Sequence, residues 1–275
     1  MATDNKELAS RLHKAGAPMV PSAFYNEVGS WYIANKKQIL ALTRSQEEAS
    51  RFIANAFTSI NKIPKILECR RESFFECLLQ SMTLNLSPGP LQECVYLPFK
   101  EICTFVPMYP GLLKLIYNTR MVKRITSKVV YECDEFKHHE GSNERIDYCS
   151  YKGEDRHTYQ RIGAYTIIEN IFGGELITYR DAKFINGIKA RSPAASSSFS
   201  PWNSKYPSDV DAMWVKTTIR QAAKYVPKSP QLAKALQLSD QAESGELSSE
   251  NKFLIEEPDY VLDKVIQGSP PQGRL

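Results

Sequence analysis

Residues 94–106, CVYLPFKEICTFV, set the fold class of this 275-residue chain. Two short apolar runs, residues 94–99 and 102–106, flank Lys100-Glu101, which is the pattern of two strands joined by a tight hairpin. Pro98 and Pro107 cannot donate to a ladder and so belong on sheet edges. Before this stretch the spacing is helical. Ser45-Gln46-Glu47-Glu48 has the Ser-x-x-Glu capping form, and Phe52, Ile53, Ala56, Phe57 and Ile60 then recur at helical intervals until residues 61–64. A second helix over 71–83 buries Phe74, Phe75, Leu78, Leu79 and Met82. After the hairpin the pattern predicts a helix over 111–118 and a β-branched strand over 122–131. Residues 134–157 are polar and read as an extended loop. A second hairpin, 162–172 with 175–179, turns at Gly173-Gly174. Thr178-x-x-Asp181 resembles the start of a basic helix that runs to about Ala190. After a Ser-rich loop, a last helix over 208–226 ends at Pro227. This order predicts an α+β fold, a small antiparallel sheet of hairpins flanked by helices. Residues 1–25 read as a flexible arm, 26–238 as the core and 239–275 as an acidic tail.

Charge is distributed unevenly. The whole chain carries +4, but residues 239–275 hold eight acids and three bases, so the rest carries +9. Residues 180–228 hold nine cations against three acids, and residues 100–128 six against one. A basic body of this kind suits a polyanion partner. The last helix places Lys216, Arg220 and Lys224 four residues apart, within roughly 80° of its surface, with Trp214, Val215, Ile219 and Ala222 on much of the opposite side. Met213 falls inside the basic arc. A basic helix face is ordinarily solvated surface, so the stripe gains meaning only from its neighbours.

Those neighbours include aromatic residues. Nucleic-acid binding needs cations for phosphates and flat surfaces for bases. Trp202 and Tyr206 flank Lys205, Tyr109 precedes Lys114, and Lys123, Arg124 and Lys128 punctuate the following strand. Strand alternation sends Lys123, Ile125 and Ser127 to one face, and Arg124 and Lys128 to the other. Lys189 and Arg191 close the preceding basic helix. Trp202 reads equally as a stacking surface or a plug after the loop, Tyr109 as buried or stacking, and Trp214 as core. Composition alone leaves double-stranded DNA, single-stranded DNA and RNA open.

Several chemistries find no support. No Gly-x-x-x-x-Gly-Lys-Ser/Thr run occurs, so ATP-driven strand exchange is not indicated. The four histidines and dispersed serines form no triad or nucleophile elbow, and the residues point away from an enzyme. Asp134, Glu135, Asp147, Glu154 and Asp155 could be assembled into a two-metal nuclease site, but they lack motif spacing. His138-His139 between Cys133 and Cys149 matches no zinc pattern, and no metal ligand is assigned. The six cysteines show no framework and read as reduced thiols of a cytoplasmic protein. No apolar run approaches the length of a membrane span.

Three strings resemble a known family. LSPGPLQECVYLPF (86–99), TFVPMYPGLLKLIYNT (104–119) and the block from Ser200-Pro201-Trp202 through Met213 and Lys216-Thr217 to Tyr225-Val226-Pro227 look like the RecT family of phage single-strand annealing proteins, over about residues 65–230. Ile125, Val130-Tyr131-Glu132, Asp134 and Phe136 also match a family pattern, with its first position shifted. Trp202, Met213, Lys216 and Thr217 match the late block, and Tyr109 and Gly111 the central one. Where the family often has Gly-Tyr-Lys-Gly, this chain has Met108-Tyr109-Pro110-Gly111, so a basic contact is lost or moved to Lys114. The resemblance implies ATP-independent binding of single-stranded DNA and annealing of complementary strands in phage-type recombination. It implies a homo-oligomer, ring or helical filament, in a bacterial cytoplasm, encoded by a phage or mobile element. It further implies a 5′ to 3′ exonuclease partner and contact with the host single-strand binding protein. No cofactor is expected to be required, and magnesium is left open as an ion that could screen phosphates. The competing readings are a metal-dependent nuclease and a passive nucleic-acid-binding structural protein.

Overall fold

The computed structural model describes residues 20–192, 195 and 200–244. Helices α1 (Ser22–Ala34), α2 (Lys36–Leu42), α3 (Gln46–Lys62) and α4 (Arg71–Leu84) come first. The hairpin β1 (Cys94–Phe99) and β2 (Ile102–Pro107) and helix α5 (Tyr109–Asn118) follow. Then come β3 (Val122–Tyr131), β4 (Glu135–His139), β5 (Arg145–Cys149), β6 (Arg161–Asn170) and β7 (Glu175–Asp181). Helices α6 (Ala182–Arg191), α7 (Pro207–Ala223) and α8 (Pro230–Ser244) complete the described residues. The fold is α+β, and its strands form three separate antiparallel sheets, β1-β2, β3-β6-β7 and β4-β5.

Local chemistry accounts for the element ends. Ser45 caps α3 by accepting from the Glu48 amide at 3.2 Å, as its capping form implies, and the Glu48 carboxylate accepts from the Arg44 amide at 2.8 Å. Asn85 ends α4 in the left-handed conformation, which asparagine tolerates better than most residues. The start of α6 differs from expectation. β7 runs on to Asp181, and Asp181, not Thr178, is the cap, accepting from the Phe184 amide at 2.8 Å.

Two apolar clusters hold these elements together. The larger joins α1–α5, the β1–β2 hairpin and α8, with Phe24, Phe57, Phe74, Tyr96, Leu112 and Leu236 among its members. The smaller lies on the three-stranded sheet and joins Val129, Tyr131 and Ala164 to Ile185, Trp202 and Trp214. Trp214 is core, as its place on the apolar arc suggests. A buried hydroxyl chain pins α7 to the sheet. Thr166 donates to Thr218 at 3.0 Å, and the Ser127 and Thr218 hydroxyls lie 3.3 Å apart. All the polar groups facing each other at this contact are therefore satisfied, which burial requires.

Three expectations need correction. Residues 134–157 are not an extended loop. They form the β4–β5 hairpin, with Phe136 stacked on Tyr165 at 6.1 Å and packed on Tyr179 at 5.0 Å. The helix that begins at Ser22 buries Phe24 and Tyr25, so the last residues assigned to the flexible arm belong to the core. At the other end, α8 runs through the expected boundary after residue 238, and Ser239 is buried. Residues 1–19 of the arm and 245–275 of the acidic tail lie outside the described residues, as does most of the Ser-rich loop.

Candidate nucleic-acid interface

A cleft of about 660 Å³ runs between the two halves of the fold. One wall is the end of α3, the loop before β1 and the β1–β2 hairpin, through Lys62, Pro88, Leu97 and Val106. The facing wall is the end of α6, the short turn Pro201–Asn203 and α7, through Ile188, Trp202, Met213 and Lys216. The first wall is anchored from within. Asn55 donates to Ser87 Oγ at 2.7 Å, Ser59 donates to the Pro88 carbonyl at 3.2 Å, and a Cβ on Gly89 would lie 2.6 Å from the Asn55 side chain. Gly111 matters in the same way, because a Cβ there would come within 2.1 Å of the Glu93 carbonyl oxygen. The glycine lets α5 approach the loop backbone.

Two cations line this cleft, Lys62, which is exposed, and Lys216, which is partly desolvated. Burial lowers the Lys216 pKa to about 8, and the positive charge of Arg220 pushes in the same direction. It makes no ion pair among the described residues. A partly desolvated ammonium group in a largely apolar cleft is matched to an anion that arrives from outside. Met213, four-fifths of a turn from Lys216 on the same wall, lies in the basic arc because it lines this cleft.

The rest of the stripe is arranged differently. Arg220 is 3% exposed and donates to Asp240 of α8 at 2.6 Å, and Lys224 lies 3.3 Å from the same carboxylate. The expectation that Lys216, Arg220 and Lys224 form one open face is therefore corrected: α8 covers the second member and bridges it to the third. Trp202 is 5% exposed and packs in the smaller core cluster. Of its two readings, the plug is the one the structure adopts, with the residue contributing to the cleft wall. Lys189 donates to the Trp202 carbonyl at 3.2 Å and so holds that turn in place.

The central block is also largely engaged internally. Lys114 donates to the Asn85 carbonyl at 2.5 Å and to Glu93 at 3.0 Å, and Glu93 in turn accepts from the Ser87 amide at 2.9 Å. Lys114 thus ties α5 to the loop before β1. Lys114→Met keeps the apolar stem but leaves Glu93 buried without its cation. The expected loss is about 3 kcal/mol of stability, read by urea unfolding, with an unchanged salt slope of single-strand binding. Lys123 and Arg124 do not point to opposite faces. A bulge between Val122 and Arg124 breaks the alternation, and both residues reach Glu169, Lys123 at 3.8 Å and Arg124 through Nε at 2.7 Å. Lys128, Arg191 and Lys205 are exposed and make no ion pair among the described residues; Lys205 lies 5.1 Å over the Tyr206 ring. Tyr109, at the start of α5, is 36% exposed.

Of the acids considered for a nuclease site, Asp134 is taken up by the fold. Asp134 accepts from Arg156 at 2.6 and 2.8 Å and from the Tyr131 and Tyr151 amides at 2.9 Å each. Among the described residues, no group of three His, Cys, Asp or Glu side chains could hold a metal ion. His138 pairs with Glu144 at 3.0 Å and His139 with Asp147 at 3.1 Å across β4–β5. All six cysteines are free thiols. No described helix is long and apolar enough to cross a membrane.

Sequence reasoning missed Lys62, the loop wall at Pro88 and Gly89, and the Asp240 partner. The resemblance of residues 86–99 to the family flagged the loop, but nothing in the spacing linked it to α7. No local signal marked Asp240, twenty residues from Arg220.

Comparison with known proteins places the chain. The RecT family profile matches residues 50–254. Protein RecT of Escherichia coli (strain K12) is 26% identical over 214 residues, spanning 74% of this chain and 76% of that protein. The match covers both walls of the cleft and all of α7, and the chain belongs to the RecT family, a family of recombination proteins that anneal single-stranded DNA.

Proposed function

We propose that this protein binds single-stranded DNA at the cleft between the β1–β2 hairpin and α7, and anneals complementary strands without ATP. The observation that carries the reading is Lys216, an ammonium group without a counter-ion among the described residues, set beside Met213 in a largely apolar cleft. Phosphates supply the missing charge. Exposed Lys128, Arg191 and Lys205 add sequence-independent attraction, and base pairing itself supplies the driving force, so no nucleotide hydrolysis is needed. One protomer offers few phosphate contacts. A ring or filament of copies along one strand multiplies them and raises the effective concentration of each further contact. Magnesium has no assigned ligand here and acts by screening the phosphates of the two strands. A 5′ to 3′ exonuclease would supply the strand in the bacterial cytoplasm, and the host single-strand binding protein would meet the protein there.

The test is the rate at which two labelled complementary oligonucleotides become duplex, with no nucleotide present. The reading expects clear acceleration by the protein, reduced in Lys216→Ala. Binding without acceleration would mean a passive nucleic-acid binder. Strand loss on adding magnesium would mean a nuclease.

A further inference from the structure

The tip of the β6–β7 hairpin carries the most exposed of the large apolar side chains among the described residues. Phe172 is 79% exposed and Ile171 49%. The turn beneath them is well defined. The Asn170 amide donates to the Gly174 carbonyl at 3.0 Å and the Gly173 amide to the Asn170 carbonyl at 3.1 Å, while Asn170 Oδ1 accepts from the Phe172 amide at 2.9 Å. Gly173 and Gly174 adopt φ of 94° and 83°, which suits glycine alone. The tip is also tied to the preceding segment, since Ile171 donates to the Met121 carbonyl at 3.1 Å. Beside it lies a pocket of about 270 Å³, lined by Ile168 and Leu176 of the sheet, by the glycines, and by Tyr225, Val226 and Pro227 just past α7. Tyr225 is 66% exposed.

This pocket has a mixed apolar and polar lining that includes one exposed ring, Tyr225, while the exposed Phe172 ring belongs to the hairpin tip beside it. In sequence, Lys224 and Lys228 flank the Tyr225 segment, and Arg120 and Lys123 flank the Met121-Val122 lining; all four are exposed, but Lys224 pairs with Asp240 and Lys123 with Glu169, whereas Arg120 and Lys228 make no ion pair among the described residues. Glu175 is the acid in the lining. An exposed hairpin tip with rings alone would suit a protein partner, but rings set among cations are complementary to a polyanion with flat bases. We propose that this pocket holds one unstacked base of a single strand against the Tyr225 ring, with Phe172 of the neighbouring hairpin tip as a second stacking surface and the adjoining phosphates drawn to Arg120 and Lys228. The inference rests on the reading that the protein binds single strands, and adds a second contact to the Lys216 cleft. Lys216 stands about 10 Å of helix axis before the end of α7, and Tyr225 follows that end.

The test is fluorescence anisotropy with a labelled oligothymidylate and with an abasic strand of the same length. Tyr225→Ala and Phe172→Ala should each weaken oligothymidylate binding about tenfold, as loss of one base-stacking contact does. Tyr225→Phe should bind like the wild type, and neither alanine variant should weaken binding to the abasic strand. Unchanged affinity in both alanine variants would overturn the proposal. So would an equal loss on the abasic strand, or a change in the particle size of the DNA-free protein by light scattering, which would make the tip a contact between copies. Failure of the wild type to bind any single strand would remove the parent reading as well, whereas the other outcomes leave it standing. Circular-dichroism melting shows that each variant is folded.

Discussion

Asp134→Ala lowers the unfolding free energy by about 3–5 kcal/mol in urea titration, because it strips one partner from a buried ion pair. The Asp134 side chain is fully buried and the Arg156 side chain 20% exposed. Removing the carboxylate leaves the guanidinium, which lies 4.4 Å over the Tyr131 ring, without its anion, and the Tyr131 and Tyr151 amides without their acceptor. The effect has a pH signature. Burial alone would raise the Asp134 pKa, but Arg156 and the two amides outweigh it and hold the carboxyl below the ordinary range. A depressed carboxyl stabilises the fold above its unfolded pKa of about 3.9, and that contribution is lost as pH falls further through the folded value. The wild type should therefore lose part of its stability in acid that Asp134→Ala has already lost at neutral pH. Equal stability of the two proteins at pH 7 would show that the pair contributes nothing.

The second large effect concerns Lys216. Single-strand affinity should fall as pH rises through about 8, where the Lys216 ammonium loses its proton in the free protein. Bound phosphate favours the protonated form, so above that pH binding must take up a proton, and affinity drops by up to about tenfold per pH unit. Below it the group is charged and the dependence vanishes. Lys216→Arg keeps its charge throughout this range and should bind without the step. Lys216→Ala should bind weakly at every pH, and its salt slope should be smaller by about 0.7, the share of one phosphate contact on a single strand. Anisotropy titrations from pH 6 to 9 check all three. A step of the same size in Lys216→Arg would assign the titration to another group.

These two residues mark the reach of the sequence. The β1–β2 and β6–β7 hairpins were legible because apolar runs with turn residues between them have few other solutions, and α3 because its cap and its periodicity agree. The β4–β5 hairpin was hidden by its charge. Its inward side chains, Phe136 and Tyr148, do alternate with Glu135, Lys137, Asp147 and Cys149, but the sheet they pack on is built partly from residues that come later in the chain. The basic stripe was legible as a helix face and misleading as a surface. Helical spacing places Lys216, Arg220 and Lys224 together, yet says nothing of what packs on them. Lys216 faces the cleft, while Arg220 is covered by a helix whose last turns, with Asp240, read in the sequence as the beginning of an acidic tail. The bulge at Lys123 was invisible for a related reason, since one inserted residue follows from the register with β6 and not from β3 itself.

The contact of Asp240 with Arg220 and Lys224 bears on how any shortened form of this protein should be read. The composition of the chain invites a cut after residue 238, where the acids begin, in order to ask what the acidic end does. That cut also removes the carboxylate that neutralises Arg220 of α7 and Lys224 just past its end. A shortened chain would gain positive charge beside the cleft and bind DNA more tightly on that account alone, even if the remaining acids were inert. A cut after residue 244 retains Asp240, Glu243 and all of α8, and it is the difference between the two lengths that separates the charge of these two side chains from the role of the rest.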